Sequence, residues 1–591
     1  MNPPLADKIE MQNRLFAELS RMFGKEVPLY DKALLVNREC NRTVCTLLRE
    51  RYIGFTMSSE QLDQTSSERH GAVRIGRPDE YRWVARFFAA FALEPHNYYN
   101  MSDVGTKSQP IVATAFRSIL NPEHRVFCSL LQTDCFDAPT RARVDAVLNK
   151  RQVFSPAAQE LVEKSERNGG LDWNDAHALI REGADRIFKW TGRAHDHQLY
   201  QDLCAAGFKI AADIACFDSH HLNHLTPNTF CMDLYTAAMK LCLEEMDAAT
   251  FRAVASTALH RVLTSTDRDA MRLLFKHLSR EEIEGFTLGN PAPESVTHLV
   301  DALAQRLEQD DLQLSTLNHS GFKDFTEGPS EDTPVLLRQD AYKALTEPVR
   351  FYESDGSVIA AVHTARFGEV EQRFYATTVK GRDLYDRCLE EAEAVKDQDP
   401  GLVRRDYAAF EAAYATPFAP FPKTLRGLLE QHLVYARYTV TPQGLAAAAA
   451  SDVHTTDVNE LVRLGFVQYE GLRYEDFLPV SAAGIVASNL NQYGTKARSA
   501  HKTAYTKAML EEVMGRKIIE ADAVYHGLHA DSLWQVYEQL GILDRVPAAE
   551  RAELERAIAA IPAVPAVPAS SAQSVSPARV PAAGHASLTR Q

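Results

Sequence analysis

Three short segments set far apart in the chain place the strongest condition on its fold. They are Glu68-Arg69-His70-Gly71-Ala72-Val73-Arg74, His220-His221-Leu222-Asn223-His224-Leu225-Thr226-Pro227 and Phe367-Gly368-Glu369-Val370-Glu371-Gln372-Arg373. Two histidines and one carboxylate on one face of a metal leave coordination positions open, the ligand set of non-haem Fe(II) oxygenases. A fold in which the segments converge builds such a centre. A fold that keeps them apart leaves three polar stretches with no shared chemistry.

The first segment reads as a strand over 69–75, in which His70, Ala72 and Arg74 share a face. Gly71 lets another backbone or a ligand approach closely. On this reading a metal and an anion could sit side by side, the plain alternative being an edge-strand histidine beside a solvated arginine. The second segment holds the densest histidine cluster in the chain, His220, His221 and His224, and Pro227 ends regular structure there. Neutral imidazole is the commonest side-chain metal ligand, whereas the plain alternative is a surface loop whose histidines cap helix ends. His195 and His197 lie in a charged stretch and read as solvated. In the third segment Glu369, Glu371 and Arg373 share one strand face, with Val370 and Gln372 on the other. Adjacent carboxylates repel unless a cation lies between them. Arg373 or a metal could serve, or the face could be a solvent-facing salt-bridge ladder.

Around these segments, residues 5–25 and 28–50 carry apolar positions at helical spacing and predict a helical pair. A helix is expected over 78–93 with Pro78 near its start, and extended segments over 96–103 and 110–118. Residues 136–205 read as helical with a turn at Gly169-Gly170, and Ile210–Phe217 as extended. Residues 228–312 read as helical and 313–333 as turn-rich. Strands are expected at 334–339, 349–353, 358–364 and 366–378, with a hairpin turn at Ser354-Asp355-Gly356. Helices resume over 380–400 and 405–435, and the run Ala446–Ala450 is helical. The organisation expected is N-terminal helices over 1–60, a first part of the core over 61–240 and a helical insertion over 241–330. A second part of the core follows over 331–500, then C-terminal helices over 501–561. The segment 562–591, rich in Pro and Ala without a periodic apolar face, is expected to be a disordered tail.

A chain of 591 residues with 45% hydrophobic and 24% charged residues can bury a large core. Its formal net charge of −15 repels phosphate backbones and argues against nucleic acid as a partner. The nine cysteines contain no Cys-x-x-Cys pair and read as reduced, mostly buried thiols. No stretch has the apolar length of a membrane span or the pattern of a signal peptide, so a cytoplasmic location is expected.

The runs Glu68–Arg74, Asn223-His224-Leu225-Thr226-Pro227, His363–Arg373 and Tyr474–Ile485, in that order, resemble the 2-oxoadipate dioxygenase/decarboxylase family. The resemblance extends from the N-terminal helices to about residue 500 and implies an α+β fold. Its β-sheet core would be similar to that of the vicinal-oxygen-chelate proteins, surrounded by extensive helical elaborations. It implies one Fe(II) held by His70, His224 and one glutamate, Glu371 being favoured and Glu369 the alternative, since both lie on one strand face. It further implies that Arg74 grips a substrate carboxylate through a bidentate fork and that Val480 and Ser481 add backbone contacts. The implied reaction converts 2-oxoadipate and O₂ to D-2-hydroxyglutarate and CO₂, a step of lysine catabolism. The partners are then a small 2-oxo acid and O₂. The long 240–325 region, Phe374-Tyr375 in place of a small residue after Arg373, and the tail depart from the family pattern. A metal-dependent lyase, isomerase or hydrolase on the same scaffold, or a non-catalytic binding protein, are the competing classes.

Overall fold

The strand expected at 69–75 runs from Glu68 to Ile75 (β1) and lies inside a five-stranded mixed sheet rather than at an edge. The structure is a computed structural model and describes residues 3–103, 109–118, 124–264, 268–275, 278–317, 322, 325–342, 345–478 and 503–561. Strands Leu93–Asn100 (β2), Ile111–Ser118 (β3), Arg125–Leu131 (β4) and Leu222–Pro227 (β5) complete that sheet in the order β2-β3-β4-β1-β5. β1 runs parallel to β4 and antiparallel to β5. Every residue of β3, β4 and β5 is buried, because helices and a second strand pair cover the sheet.

The second pair is formed by Leu337–Tyr342 (β6) and, after the hairpin Thr346–Tyr352 (β7) and Val358–Thr364 (β8), Gly368–Arg373 (β9), antiparallel to β6. The hairpin turns at Gly356, whose φ of 87° suits glycine, as its Ser-Asp-Gly sequence predicts. β9 runs beside β5, joined to that segment by Thr229 N–H donating to Glu371 O at 3.0 Å and Phe367 N–H to Asn223 O at 3.4 Å. This seam carries the third segment to the first two.

Helices Lys8–Glu26 (α1) and Pro28–Arg51 (α2) form the expected N-terminal pair. Met11, Leu15, Phe16, Leu19 and Phe23 give α1 its buried stripe, Asp7 caps its start, and Pro28 opens α2. α2 also holds the seam: Asn37 and Asn41 donate to Asn228 O at 3.0 and 3.2 Å, and Asn41 accepts from Phe230 N–H at 2.8 Å. These buried amides fasten the chain as it leaves β5.

Two expectations are corrected. Ile210–Phe217 is not extended; Lys209–Cys216 is a helix (here α4, after Pro78–Ala90, α3) whose residues Ile210–Cys216 are all buried. A short apolar run has no diagnostic period, and its three alanines favour helix. The helix expected over 405–435 is broken into Leu402–Arg405, Tyr407–Ala415 and Leu425–Glu430, with Pro417, Pro420 and Pro422 between the last two. Strand β4 was not anticipated. Its run Arg-Val-Phe-Cys-Ser-Leu-Leu lacks alternation because both faces are buried.

A second apolar core lies toward the C-terminus, around Val379–Gln398, the antiparallel strands Ala436–Val440 and Val467–Gly471, and helices Ala521–Gln539 and Ala548–Ala559. All nine cysteines are free, and all but Cys204 are buried. Among the described residues no helix is long and apolar enough to cross a membrane. The expected tail and the Val480-Ser481 segment lie outside the described residues.

Gly71 realises the close approach inferred for it. A Cβ there would lie 3.1 Å from Leu222 Cδ1 and Leu225 Cδ2 and 3.2 Å from the His224 carbonyl oxygen. Gly71→Val is expected to push β5 off β1 and to lower unfolding free energy by about 1–3 kcal/mol. Urea unfolding checks this; an unchanged midpoint would contradict the packing described.

Candidate metal centre

Opposed residues of an antiparallel pair share a face. In the β1–β5 register His70 opposes Thr226 and Ala72 opposes His224, so both imidazoles face the same side of the sheet. β9 meets that face with its own polar side. His70 Nε2 lies 3.2 Å, and His224 Nε2 3.4 Å, from Glu369 Oε2. One ligand atom from each of the three residues falls within 4.8 Å of the others, and all three residues are buried. Neither the solvated strand edge nor the solvent-facing ladder describes these residues. Likewise His220 and His221 are buried, facing Glu80 and Asp213 at 3.4 and 3.1 Å, rather than placed in a surface loop. His195 is half-buried and paired with Asp218 at 2.6 Å instead of solvated.

Glu371 is also drawn to His70, but from the other side of the ring: its Oε2 lies 3.0 Å from His70 Nδ1. Its carboxylate is forked by Arg373, Nε to Oε1 at 2.6 Å and Nη2 to Oε2 at 2.8 Å, and Oε1 also accepts from Arg125 Nη2 at 2.5 Å. Burial works against this charge, but Arg125 and Arg373 outweigh it and hold the carboxyl well below the ordinary glutamate range. Arg125 continues to Glu475 Oε2 at 3.0 Å. Of the cations expected beside the two glutamates, Arg373 is in place on Glu371, where Arg125 joins it.

The donors fit a divalent ion. Carboxylates flank His70 on both sides, Glu371 at Nδ1 and Glu369 at Nε2; with a metal held at Nε2, the ring proton would lie on Nδ1 beside Glu371, which can only accept. This is the carboxylate–histidine–metal arrangement that orients ligating imidazoles. Thr226 Oγ lies 2.8 Å from His70 Nε2 and 3.3 Å from Glu369 Oε2, so its single hydrogen serves one of the two at a time. Edge-on contact of Phe477 with His70 (4.8 Å) and stacking of Phe367 on His224 (4.8 Å) lock the rings.

The group opens into a cavity between the five-stranded sheet and the β6–β9 pair, walled by Met101, Ile111, Phe127, Leu337, Phe367 and Phe477. Arg74 lines the same cavity, two positions beyond Ala72 on the predicted face. Its Nη1 pairs with Asp213 of α4. Ser129, Gln109 and Gln339 add polar atoms to the wall. Phe374 does not line this cavity; Tyr375 faces a different one.

Sequence reading missed Arg125, Asp213, Thr226 and Phe477. Thr226 and Phe477 stand inside motifs already singled out. Arg125 lies in the unanticipated strand, and Asp213 in the misread helix.

Two buried imidazoles and a carboxylate at the wall of a largely apolar cavity define a candidate mononuclear metal centre in an α+β protein. The chain belongs to the 2-oxoadipate dioxygenase/decarboxylase family, whose sequence profile matches residues 15–266 and 271–489. It is 32% identical over 527 residues to the 2-oxoadipate dioxygenase/decarboxylase of Pseudomonas putida, covering 86% of this chain and 92% of that protein. Its identity to the Escherichia coli protein of the same name is 29% over 528 residues, covering 87% and 95%. The crystal structure of hydroxyglutarate synthase from Pseudomonas putida in complex with 2-oxoadipate superposes with a TM-score of 0.62 at 29% identity, covering 91% of this chain and 99% of that one.

Burial pushes His220 and His221 below the ordinary imidazole range, and His96 down to about 3. In the unfolded chain these groups protonate near pH ~6.5. Their folded values are depressed, so the stability they contribute is present above that pH and lost as pH falls below it. Metal-free protein is therefore expected to show a falling urea midpoint from pH 7 to 5, and a flat profile would contradict these neutral burials.

Proposed function

We propose that this chain is an Fe(II)-dependent dioxygenase/decarboxylase that converts 2-oxoadipate and O₂ to D-2-hydroxyglutarate and CO₂. The observation that carries this reading is the placement of His70, His224 and Glu369 on the wall that also presents Arg74. Glu369, rather than Glu371, is proposed as the third ligand, because Glu371 is already committed to two arginines and to Nδ1 of His70. The sheet that delivers the two histidines is read as a core similar to that of the vicinal-oxygen-chelate proteins.

Fe(II), when bound, supplies the chelating and electron-donating chemistry that couples O₂ reduction to loss of the C1 carboxylate. The balance needs no further reductant: six carbons enter, five leave as hydroxyglutarate and one as CO₂, with both atoms of O₂ in the products. The side chains have three tasks. His70, His224 and Glu369 would hold the metal at the cavity wall. Arg74, at the cavity wall, grips the far carboxylate and sets which carbon faces the reacting centre. Phe127, Phe367 and Phe477 keep that volume apolar and exclude water. Glu371 holds the proton on His70 Nδ1 throughout, fixing ring orientation.

Protein reconstituted anaerobically with Fe(II) is expected to consume O₂ and release CO₂ one for one with 2-oxoadipate; no turnover with it or its near homologues would overturn the reading and leave a lyase, isomerase or hydrolase. In equilibrium dialysis against Fe(II), His70→Ala and Glu369→Ala should lose stoichiometric binding, whereas Glu371→Gln should weaken it by about 10–100-fold. Arg74→Ala should weaken 2-oxoadipate binding and leave iron content unchanged.

A further inference from the structure

Arg74 has one partner among the described residues, the carboxylate of Asp213, reached through Nη1. Asp213 projects from α4 and is buried. Two imidazoles from other parts of the fold converge on its other oxygen: His221 Nε2 at 3.1 Å and His363 Nε2 at 2.9 Å from Oδ1. Asn223 Nδ2 lies 3.5 Å from Oδ2. Beyond His363, the Tyr200 hydroxyl lies 2.9 Å from Nδ1.

The Nε2 atoms of His221 and His363 flank Oδ1 at ion-pair distance, placing two polar ring edges against the carboxylate. The hydrogen bond between His363 Nδ1 and the Tyr200 hydroxyl fixes the far side of the ring. The order is Tyr200 to His363 to Asp213, with Arg74 on the far side of the carboxylate. Burial opposes charge on Asp213, but His221 and Arg74 more than offset it and keep the carboxyl well below its ordinary range. The Arg74 guanidinium is thereby held by one nitrogen against a fixed anion. Its Nε and Nη2 have no partner among the described residues, and Arg74 lines the cavity shared with His70, His224 and Glu369.

We propose that Asp213, oriented by His363 and His221, is the positioning residue for Arg74 and so sets the preference for a substrate with a second carboxylate. This rests on the reading of Arg74 as the group that grips that carboxylate. An arginine free to rotate would lose side-chain entropy on binding and gain little geometric selectivity. One pinned through Nη1 meets the ligand with its orientation already set. Neither Asp213 nor His363 lies in the His70–His224–Glu369 group, so discrimination and iron binding are separable.

The test compares two six-carbon acids by anaerobic titration calorimetry on the Fe(II)-loaded protein: 2-oxoadipate, and 2-oxohexanoate, which has a methyl group in place of the far carboxylate. The quantity read is the ratio of their affinities. Asp213→Asn is expected to lower that ratio by about 10-fold or more, the scale of a lost charge-assisted contact, with 2-oxohexanoate affinity and iron content unchanged. His363→Gln should lower it by a smaller factor, and decides the matter if Asp213→Asn does not fold. A wild-type ratio in the folded variants, or equal weakening of both acids, would overturn the proposal. Arg74→Ala separates the two readings. If it abolishes the preference while the folded Asp213 and His363 variants keep it, positioning by Asp213 fails alone. If Arg74→Ala also keeps the preference, the assignment of Arg74 fails and the proposal with it.

Discussion

A carboxylate without access to water ties the functional half of this molecule together. Glu371 is fully buried, and its charge is tolerable only because Arg125 from β4 and Arg373 from its own strand surround it. Arg125 reaches on to Glu475, and Arg373 donates to the carbonyls of Tyr474 and Asp476 at 3.2 and 2.8 Å. One charge therefore joins the five-stranded sheet, the β6–β9 pair and the C-terminal segment. His70 sits against the same carboxylate, so ligand orientation and the joining of these elements share one set of bonds.

Two neighbouring glutamates on one strand thus meet different neighbours. Glu371 faces the two arginines and Nδ1 of His70. Glu369 faces two imidazole nitrogens, a threonine hydroxyl and the cavity. Arg74 is treated in the same way, its charge anchored by Asp213 as that of Glu371 is by arginine. In both cases a buried partner already satisfies one side of the group and leaves its remaining capacity directed. Preorganisation of this kind is what a reaction controlled by geometry rather than by a side-chain nucleophile demands.

Much of this was legible in the chain. Alternation placed His70, Ala72 and Arg74 on one face, and all three line the cavity. Helical periodicity located α1, α2 and α3, and the Ser-Asp-Gly turn located the β7–β8 hairpin. The four ordered motifs pointed to the family that the profile match establishes. What could not be read depends on contacts distant in sequence. Period-two alternation puts Glu369 and Glu371 on the same face, so only the position of Arg125 tells their surroundings apart. β4 and residues 210–216 of α4 are buried all round and too short for a period to show, which hid Arg125 and Asp213 together. The polar face of β9 resembled a surface ladder because alternation reports which residues share a face, and not whether that face meets solvent.

The most direct test of the central claim is anomalous diffraction at the iron edge from crystals of Fe(II)-loaded protein. The account predicts one iron peak at bonding distance from Nε2 of His70, Nε2 of His224 and the carboxylate of Glu369, with Glu371 still bound to Arg125 and Arg373. Iron coordinated by Glu371, or located away from the two histidines, would contradict it.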